Sequence, residues 1–188
     1  EPKPGGHRHA QRMARWSEDE RDAGPIASRS DTHLRLGAWR LQHHNVAEGS
    51  RFDARLAAPE AGFTLDLALT STQTLLLQGA QGFSLKGPPV APGQPAHASL
   101  YYSMPQLAVQ GAVTLGGRDQ VVQGRAWLDH EWSNALMPPG AVGWDWIGIN
   151  LTDGGALTAF VLRAADGRAL WAGGSHRSNA GVLRTFAA

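Results

Sequence analysis

From residue 32 onward, hydrophobic and polar positions alternate with a period of two. "FTLDLALT" sets Phe63, Leu65, Leu67 and Leu69 on one face and Thr64, Asp66, Ala68 and Thr70 on the other. "LAVQGAVTL" does the same with Leu107, Val109, Gly111, Val113 and Leu115. This period marks strands with one face in a core and one toward water. "LRLGAWRL", "SRFDARLAA", "DQVVQGRAWLDHEW", "GWDWIGINL", "ALTAFVLRA" and "ALWAGGSH" read as further strands. The turn signals "APEAG", "LGGRD", "TDGG" and "AADG" separate them, and Asp-Gly between two apolar runs predicts a hairpin. No long amphipathic helix is visible. The pattern predicts an all-β, antiparallel protein of barrel or sandwich type.

Two segments break the pattern. Residues 1–31 are polar, and within "HAQRMARWSEDERD" the positions Ala10, Met13 and Ala14 fall at helical spacing. The segment reads as a surface connector, with a turn or two of helix as the alternative. "GFSLKGPPVAPGQPAHASLYYSMP" is rich in Gly, Pro and Ser and is expected to be a long loop without regular structure. The pairs His7/His9 and His43/His44 lie in polar ground and read as solvated, since nothing supplies further ligands at fixed spacing.

Composition narrows the classes. The chain has 188 residues, enough for one good core or two small ones. Seventeen Lys and Arg against sixteen Asp and Glu leave a formal charge of +1, so no basic surface for nucleic acid is expected. There is no cysteine, hence no disulfide and no thiolate chemistry. No run approaches the roughly 20 apolar residues of a membrane helix. Phosphate loops, dinucleotide fingerprints and the Gly-x-Ser-x-Gly elbow are missing. The chain begins at Glu1 and stops at "GVLRTFAA", so both ends read as cut from something longer.

Candidate chemistry concentrates in "AWLDHEWSNALMPPGAVGWDWIG", which holds four of the seven tryptophans. As a strand, "AWLDHEW" puts Ala126, Leu128, His130 and Trp132 on one face and Trp127, Asp129 and Glu131 on the other. In "GWDWIGINL", Asp145, Ile147, Ile149 and Leu151 share a face against Trp144, Trp146, Gly148 and Asn150. His130 and Asp145 thus fall with the aliphatic residues. Were those faces to line one interior, desolvation would raise the pKa of Asp145, and Trp132 would offer a π face to a developing cation. Plain packing of tryptophans in a β seam is the competing reading. "DHE" lacks the second histidine of a zinc-protease helix, and a metal site from His130, Asp145 and His176 has no spacing to support it.

"YYSMPQLAVQGAVTL", "VQGRAWLDHEWS" and "GWDWIGINLTDGGALTAFVLR" resemble the carotenoid 1,2-hydratase / AttH family, and the AttH-like branch more closely. The resemblance runs from about Thr32 to about His176. Its most specific part is the pairing of G-x-A-W-x-D-H-E-W with G-W-D-W-x-G. It implies lipocalin-like antiparallel β-barrels in tandem. Residues 32–117 would be the later strands of the first barrel and 118–188 the opening strands of the second. Residues 1–31 would be a polar connector or a partial first-barrel segment.

The implied activity is cofactor-independent, acid-catalysed addition of water to a carbon–carbon double bond of an apolar isoprenoid, without a metal. Carried over by motif, Asp145 is the proton donor, His130 positions or deprotonates water, and Asp129 is a supporting or alternative acid. Trp132, Trp144 and Trp146 lie near the cation, with Trp127, Tyr101 and Tyr102 on the substrate side. The resemblance equally admits an exported lipocalin-like protein that carries an apolar ligand without catalysis. It implies a periplasmic or secreted location and association with an ABC transporter system.

Overall fold

A computed structural model describes residues 9–19, 21–88, 90–91, 96–135 and 137–187. His7 lies outside them. The described residues form β1 (Ile26–Ala27), β2 (His33–Leu36), β3 (Trp39–Val46), β4 (Gly49–Ala58), β5 (Phe63–Thr70), β6 (Leu76–Leu77) and β7 (Phe83–Leu85). Then come β8 (Ala98–Leu115), β9 (Arg118–Ala135), β10 (Ala141–Asn150), β11 (Ala156–Ala164), β12 (Ala169–Arg177) and β13 (Leu183–Ala187). A 3-10 turn over Pro59–Ala61 is the single helical element among them. The all-β expectation holds.

The chain divides into two compact units that are not contiguous in sequence. One takes in the chain to Ser71 together with Ala108–Gly124; the other takes in Thr72–Leu107 and Arg125–Ala188. Strands β8 and β9 contribute to both. The turn at Gly116 and Gly117 therefore joins two strands inside the first unit. Both glycines have positive φ, 57° and 78°, the backbone a tight two-residue hairpin turn requires.

In the first unit, β1 to β5 and the end of β8 pair antiparallel in the order β1-β2-β3-β4-β5-β8. The register sets Leu41 opposite Ala54 and His43 opposite Phe52, so these side chains share a face, with Trp39 and Leu56 following by alternation. That face carries Phe52 and Ala58 into the core. It also lines a cavity of about 570 Å³ walled by Trp16, Ile26, Leu34, Leu36, Trp39 and Leu41 among others. Gly111 on β8 faces the β5 backbone closely: a Cβ there would stand 2.1 Å from the Asp66 carbonyl oxygen.

Three local readings are corrected here. "LRLGAWRL" is not one strand but β2 and β3, reversed at Gly37 with φ 62°; the turn carries no polar residue to announce it. Residues 9–19 hold no helix; Ser17 instead bridges in parallel to Ile26. His43 is not solvated: its side chain is 14% exposed, with ring nitrogens bound by Asp31 and Ser50. His44 pairs with Asp53.

The second unit contains the meander β10-β11-β12-β13. Its buried face comprises Ala156, Thr158 and Leu162 of β11 and Gly173, Ser175 and Arg177 of β12. By register, Trp144 stands opposite Leu162 and Trp146 opposite Phe160, on that same face. The expected long loop is shorter than its composition suggests. β7 pairs with β8 through Phe83↔Leu100 to Leu85↔Ala98, so both ends of the expected loop are strand.

This face assignment overturns the expected one for β10. The aliphatic set is the outer one: Ile147 and Ile149 are exposed, and so is Asp145. Trp144 and Trp146 lie on the face of Leu162 and Phe160 and keep part of their rings exposed, while Trp146 meets Trp127 edge-on and donates to the Tyr101 hydroxyl. Gly148 permits it, since a Cβ there would meet Trp146 at 2.5 Å and Trp127 at 3.0 Å.

Candidate functional site

Alternation along β8 and β9 splits the candidate residues of the second unit between two faces. One carries Ser99, Tyr101 and Ser103 on β8 with Trp127, Asp129 and Glu131 on β9. The Ser103 hydroxyl donates to Asp129 Oδ1 (2.5 Å) and the Trp127 indole donates to the same oxygen (2.9 Å). Trp146 Nε1 donates to the Tyr101 hydroxyl (3.0 Å), and the Trp127 and Trp146 rings meet edge-on at 6.4 Å. Tyr101 is buried. Burial, and after it the negative charge of Asp129, hold its phenol well above the usual range, so it keeps its proton.

A polar chain runs inward from this face. Gln78 donates to Ser103 (2.9 Å) and Thr158 (3.1 Å) and accepts from Ser175 (2.8 Å). All four are buried, and each finds a partner, as buried polar groups must. Beside it lies an ion pair that the sequence did not announce. Lys86 Nζ sits 2.8 Å from Glu131 Oε1 and donates to Ser84 (3.0 Å), over the rings of Phe160 (4.2 Å) and Tyr101 (5.1 Å). Ser99 donates to the same Glu131 oxygen (2.5 Å). Lys86, Glu131, Trp144 and Trp146 border a small cavity of about 50 Å³ with Phe160 and Leu162.

The opposite face gathers Tyr102, His130 and Trp132. The Tyr102 hydroxyl lies 2.9 Å from His130 Nδ1. The His130 and Trp132 rings are 4.8 Å apart, and Tyr102 contacts both at 5.2 and 6.5 Å. This face is open, with His130 and Trp132 exposed.

The nine sequence candidates are thus sorted rather than pooled. Tyr101, Trp127, Asp129 and Trp146 come together, as do Tyr102, His130 and Trp132, on opposite sides of β9. Trp144 lies by the Lys86–Glu131 pair. Asp145 stands apart: its side chain is 64% exposed and ion-paired with Arg163 at 2.7 Å. The dry apolar setting expected around Asp145 is therefore not there. Lys86, Ser99, Ser103 and Gln78 were missed because only folding brings them to the tryptophans. The period-two spacing of Ser99, Tyr101 and Ser103 was their one visible signal. Among the described residues, no three of His, Asp and Glu gather in a way that could hold a metal ion, and no helix is long and apolar enough to cross a membrane.

Comparison with known proteins places the chain in a family. The AttH-like family model matches residues 1–188. The chain belongs to the AttH-like family. An AttH protein of Nitrosomonas europaea shares 44% identity with this AttH-like chain at a TM-score of 0.72, over 82% of this chain and 45% of that one. Kievitone hydratase of Nectria haematococca matches at a TM-score of 0.62 and 14% identity, over 83% of this chain and 46% of that one, which shows a shared fold. The fold is accordingly the lipocalin-like, antiparallel one of AttH. The chain spans somewhat less than half the length of either solved protein. No curated protein matches it.

Proposed function

We propose that the AttH-like protein adds water across a carbon–carbon double bond of an apolar, isoprenoid-type molecule. The observation that carries this reading is the Tyr102–His130–Trp132 cluster. Hydration needs a proton delivered to one alkene carbon, a cation sheltered at the other, and a water deprotonated as it attacks. In the tautomer where Nδ1–H donates to the Tyr102 oxygen, His130 turns the lone pair of Nε2 outward to a water. Trp132, against the same imidazole, offers its π face to the cation. Asp145, the carboxyl that the resemblance names for the first proton, stands apart from this cluster and is paired with Arg163, so proton donation by it requires both its release and its approach to the bound alkene.

The test is full-length protein incubated with an acyclic isoprenoid in ¹⁸O-labelled water. Labelled tertiary alcohol is expected. His130→Gln and Asp145→Asn should each lower its formation on the order of 100-fold, and Tyr102→Phe on the order of 10-fold. Arg163→Met should raise it. No label in the wild-type product, or full rates in both His130→Gln and Asp145→Asn, sinks the proposal.

Carriage of an apolar ligand without catalysis is the second reading. It is favoured by the cavity of about 570 Å³ in the first unit, whose walls are almost wholly apolar. Native mass spectrometry of full-length protein would then show a co-purified lipid, and its absence would count against carriage. Under either reading the protein is exported and works beside an ABC transporter, as the family resemblance implies. Fractionation of cells making the tagged full-length protein tests the location.

A further inference from the structure

The first unit holds three side chains that neither reading uses. His43 on β3 lies between Asp31 and Ser50. Its Nδ1 is 2.7 and 2.8 Å from the two Asp31 carboxylate oxygens, and its Nε2 is 2.9 Å from Ser50 Oγ. Orienting acid, imidazole and hydroxyl are thus in line at hydrogen-bond distance, the constellation that activates a serine nucleophile. The imidazole is fixed: it is mostly buried, its ring meets Phe52 at 5.0 Å, and its backbone N–H donates to the Thr32 carbonyl (2.7 Å).

Ser50 is held as firmly. It follows Gly49 (φ 125°) at the end of the β3–β4 turn, and it exchanges bonds with Ser71. Its N–H donates to Ser71 Oγ (2.9 Å) and its carbonyl accepts from the Ser71 N–H (2.8 Å).

The sheet register links this triad to the apolar cavity. Trp39, Leu41 and His43 follow one another along one face of β3, and Leu56, Ala54, Phe52 and Ser50 along the facing positions of β4. Trp39, Leu41, Ala54 and Leu56 line the cavity of about 570 Å³. One or two strand positions farther, at about 7 Å per pair of residues, stand His43 and Ser50. The lining ends before them, with buried Phe52 between Ala54 and Ser50, so an acyl chain at Ser50 shares this apolar face.

We propose that Ser50, His43 and Asp31 form a hydrolytic site for esters of apolar acyl chains, separate from the hydration chemistry of the second unit. Ser50 Oγ bonds to the ester carbonyl carbon while its proton passes to His43 Nε2. The bond from that carbon to the alcohol oxygen then breaks, and the same proton leaves with the alcohol. Water, deprotonated by His43, releases the acid from Ser50. Asp31 positions the imidazole.

The experiment treats full-length protein with a fluorophosphonate and locates the adduct by peptide mass spectrometry, alongside turnover of p-nitrophenyl octanoate and acetate. The expected result is an adduct on Ser50, faster turnover of octanoate than of acetate, and losses on the order of 100-fold in Ser50→Ala and His43→Gln. Asp31→Asn should lower kcat at unchanged KM and slow adduct formation, with an unchanged circular dichroism spectrum. The labelling is done on wild-type protein, so it stands whether or not a variant folds. No adduct on Ser50, or octanoate turnover that survives in folded Ser50→Ala, overturns the proposal.

Discussion

Replacing Lys86 by Met separates the two halves of an ion pair buried on one side only and gives a test with a built-in asymmetry. The Lys86 side chain is 5% exposed and that of Glu131 is 32% exposed. Removing one partner of a fully buried pair costs roughly 3–5 kcal/mol, because the other charge is left without compensation. In Lys86→Met the survivor is Glu131, which water reaches and Ser99 still serves, so the loss should be about 1–2 kcal/mol. In Glu131→Met the survivor is an ammonium shut away from water, with Ser84 and the ring faces of Phe160 and Tyr101 as its remaining contacts among the described residues. That loss should be about 3–4 kcal/mol.

The double variant has no stranded charge and should lie within about 1 kcal/mol of wild type. Urea unfolding followed by circular dichroism reads all three. With a slope of about 2 kcal/mol per molar urea, Glu131→Met lowers the midpoint by roughly 1.5–2 M and Lys86→Met by under about 1 M. The reasoning is refuted if Lys86→Met is the costlier single change. It is refuted equally if the losses simply add in the double variant.

Other perturbations probe other parts of the molecule. Gly111→Ala drives a methyl to 2.1 Å from the Asp66 carbonyl oxygen and should lower stability by about 2 kcal/mol or more; a midpoint unchanged in urea contradicts the close approach of β5 and β8. In a Tyr102→Phe background, the remaining phenol of Tyr101 should resist ionisation above the ordinary pKa of about 10. Its contribution to stability is complete below that value and is lost as pH rises beyond it. Phenolate absorbance appearing at pH 10.5 in protein that is still folded would contradict this. Asp31 is held below the usual carboxylate range, chiefly by its hydrogen bond from His43. Its contribution is therefore present above about pH 4 and lost as pH falls through its lower folded value. Asp31→Asn should flatten that acid limb of the unfolding midpoint against pH, and an unchanged limb would show that the bond is not what depresses Asp31.

The strands were legible wherever a period of two ran unbroken. Phe63–Thr70 and Ala156–Ala164 fall where the alternation put them. Legibility failed where pairing is long-range or the signal is short. Leu76–Leu77 and Phe83–Leu85 are strands only because β8 lies alongside to take their hydrogen bonds. The start of β8 was hidden by the Pro-rich residues before it. The candidate site shows the same division. Alternation split β9 between its two faces, but of the residues in "DHEW" and "GWDW" the fold sets Asp129 near Trp146 through Trp127 and Tyr101 and His130 against Trp132, and holds Asp145 apart.

What the sequence determined by itself is therefore the all-β class, most strand positions, the family motifs and which residues share a face. Which face turns inward was decided only by the tertiary structure. Alternation makes two sets of side chains and is silent about which one is buried; that depends on the area and partners each set finds. On β10 the register puts the indoles on the face of Leu162 and Phe160, with Gly148 making room and Tyr101 accepting a hydrogen bond from Trp146, and leaves Asp145 on the other face with Arg163. The tertiary structure likewise joined Asp31, His43 and Ser50, and Lys86 with Glu131. Their chemistry comes from approaches of a few ångströms between residues 7 to 45 positions apart, and spacing along the chain does not record such distances.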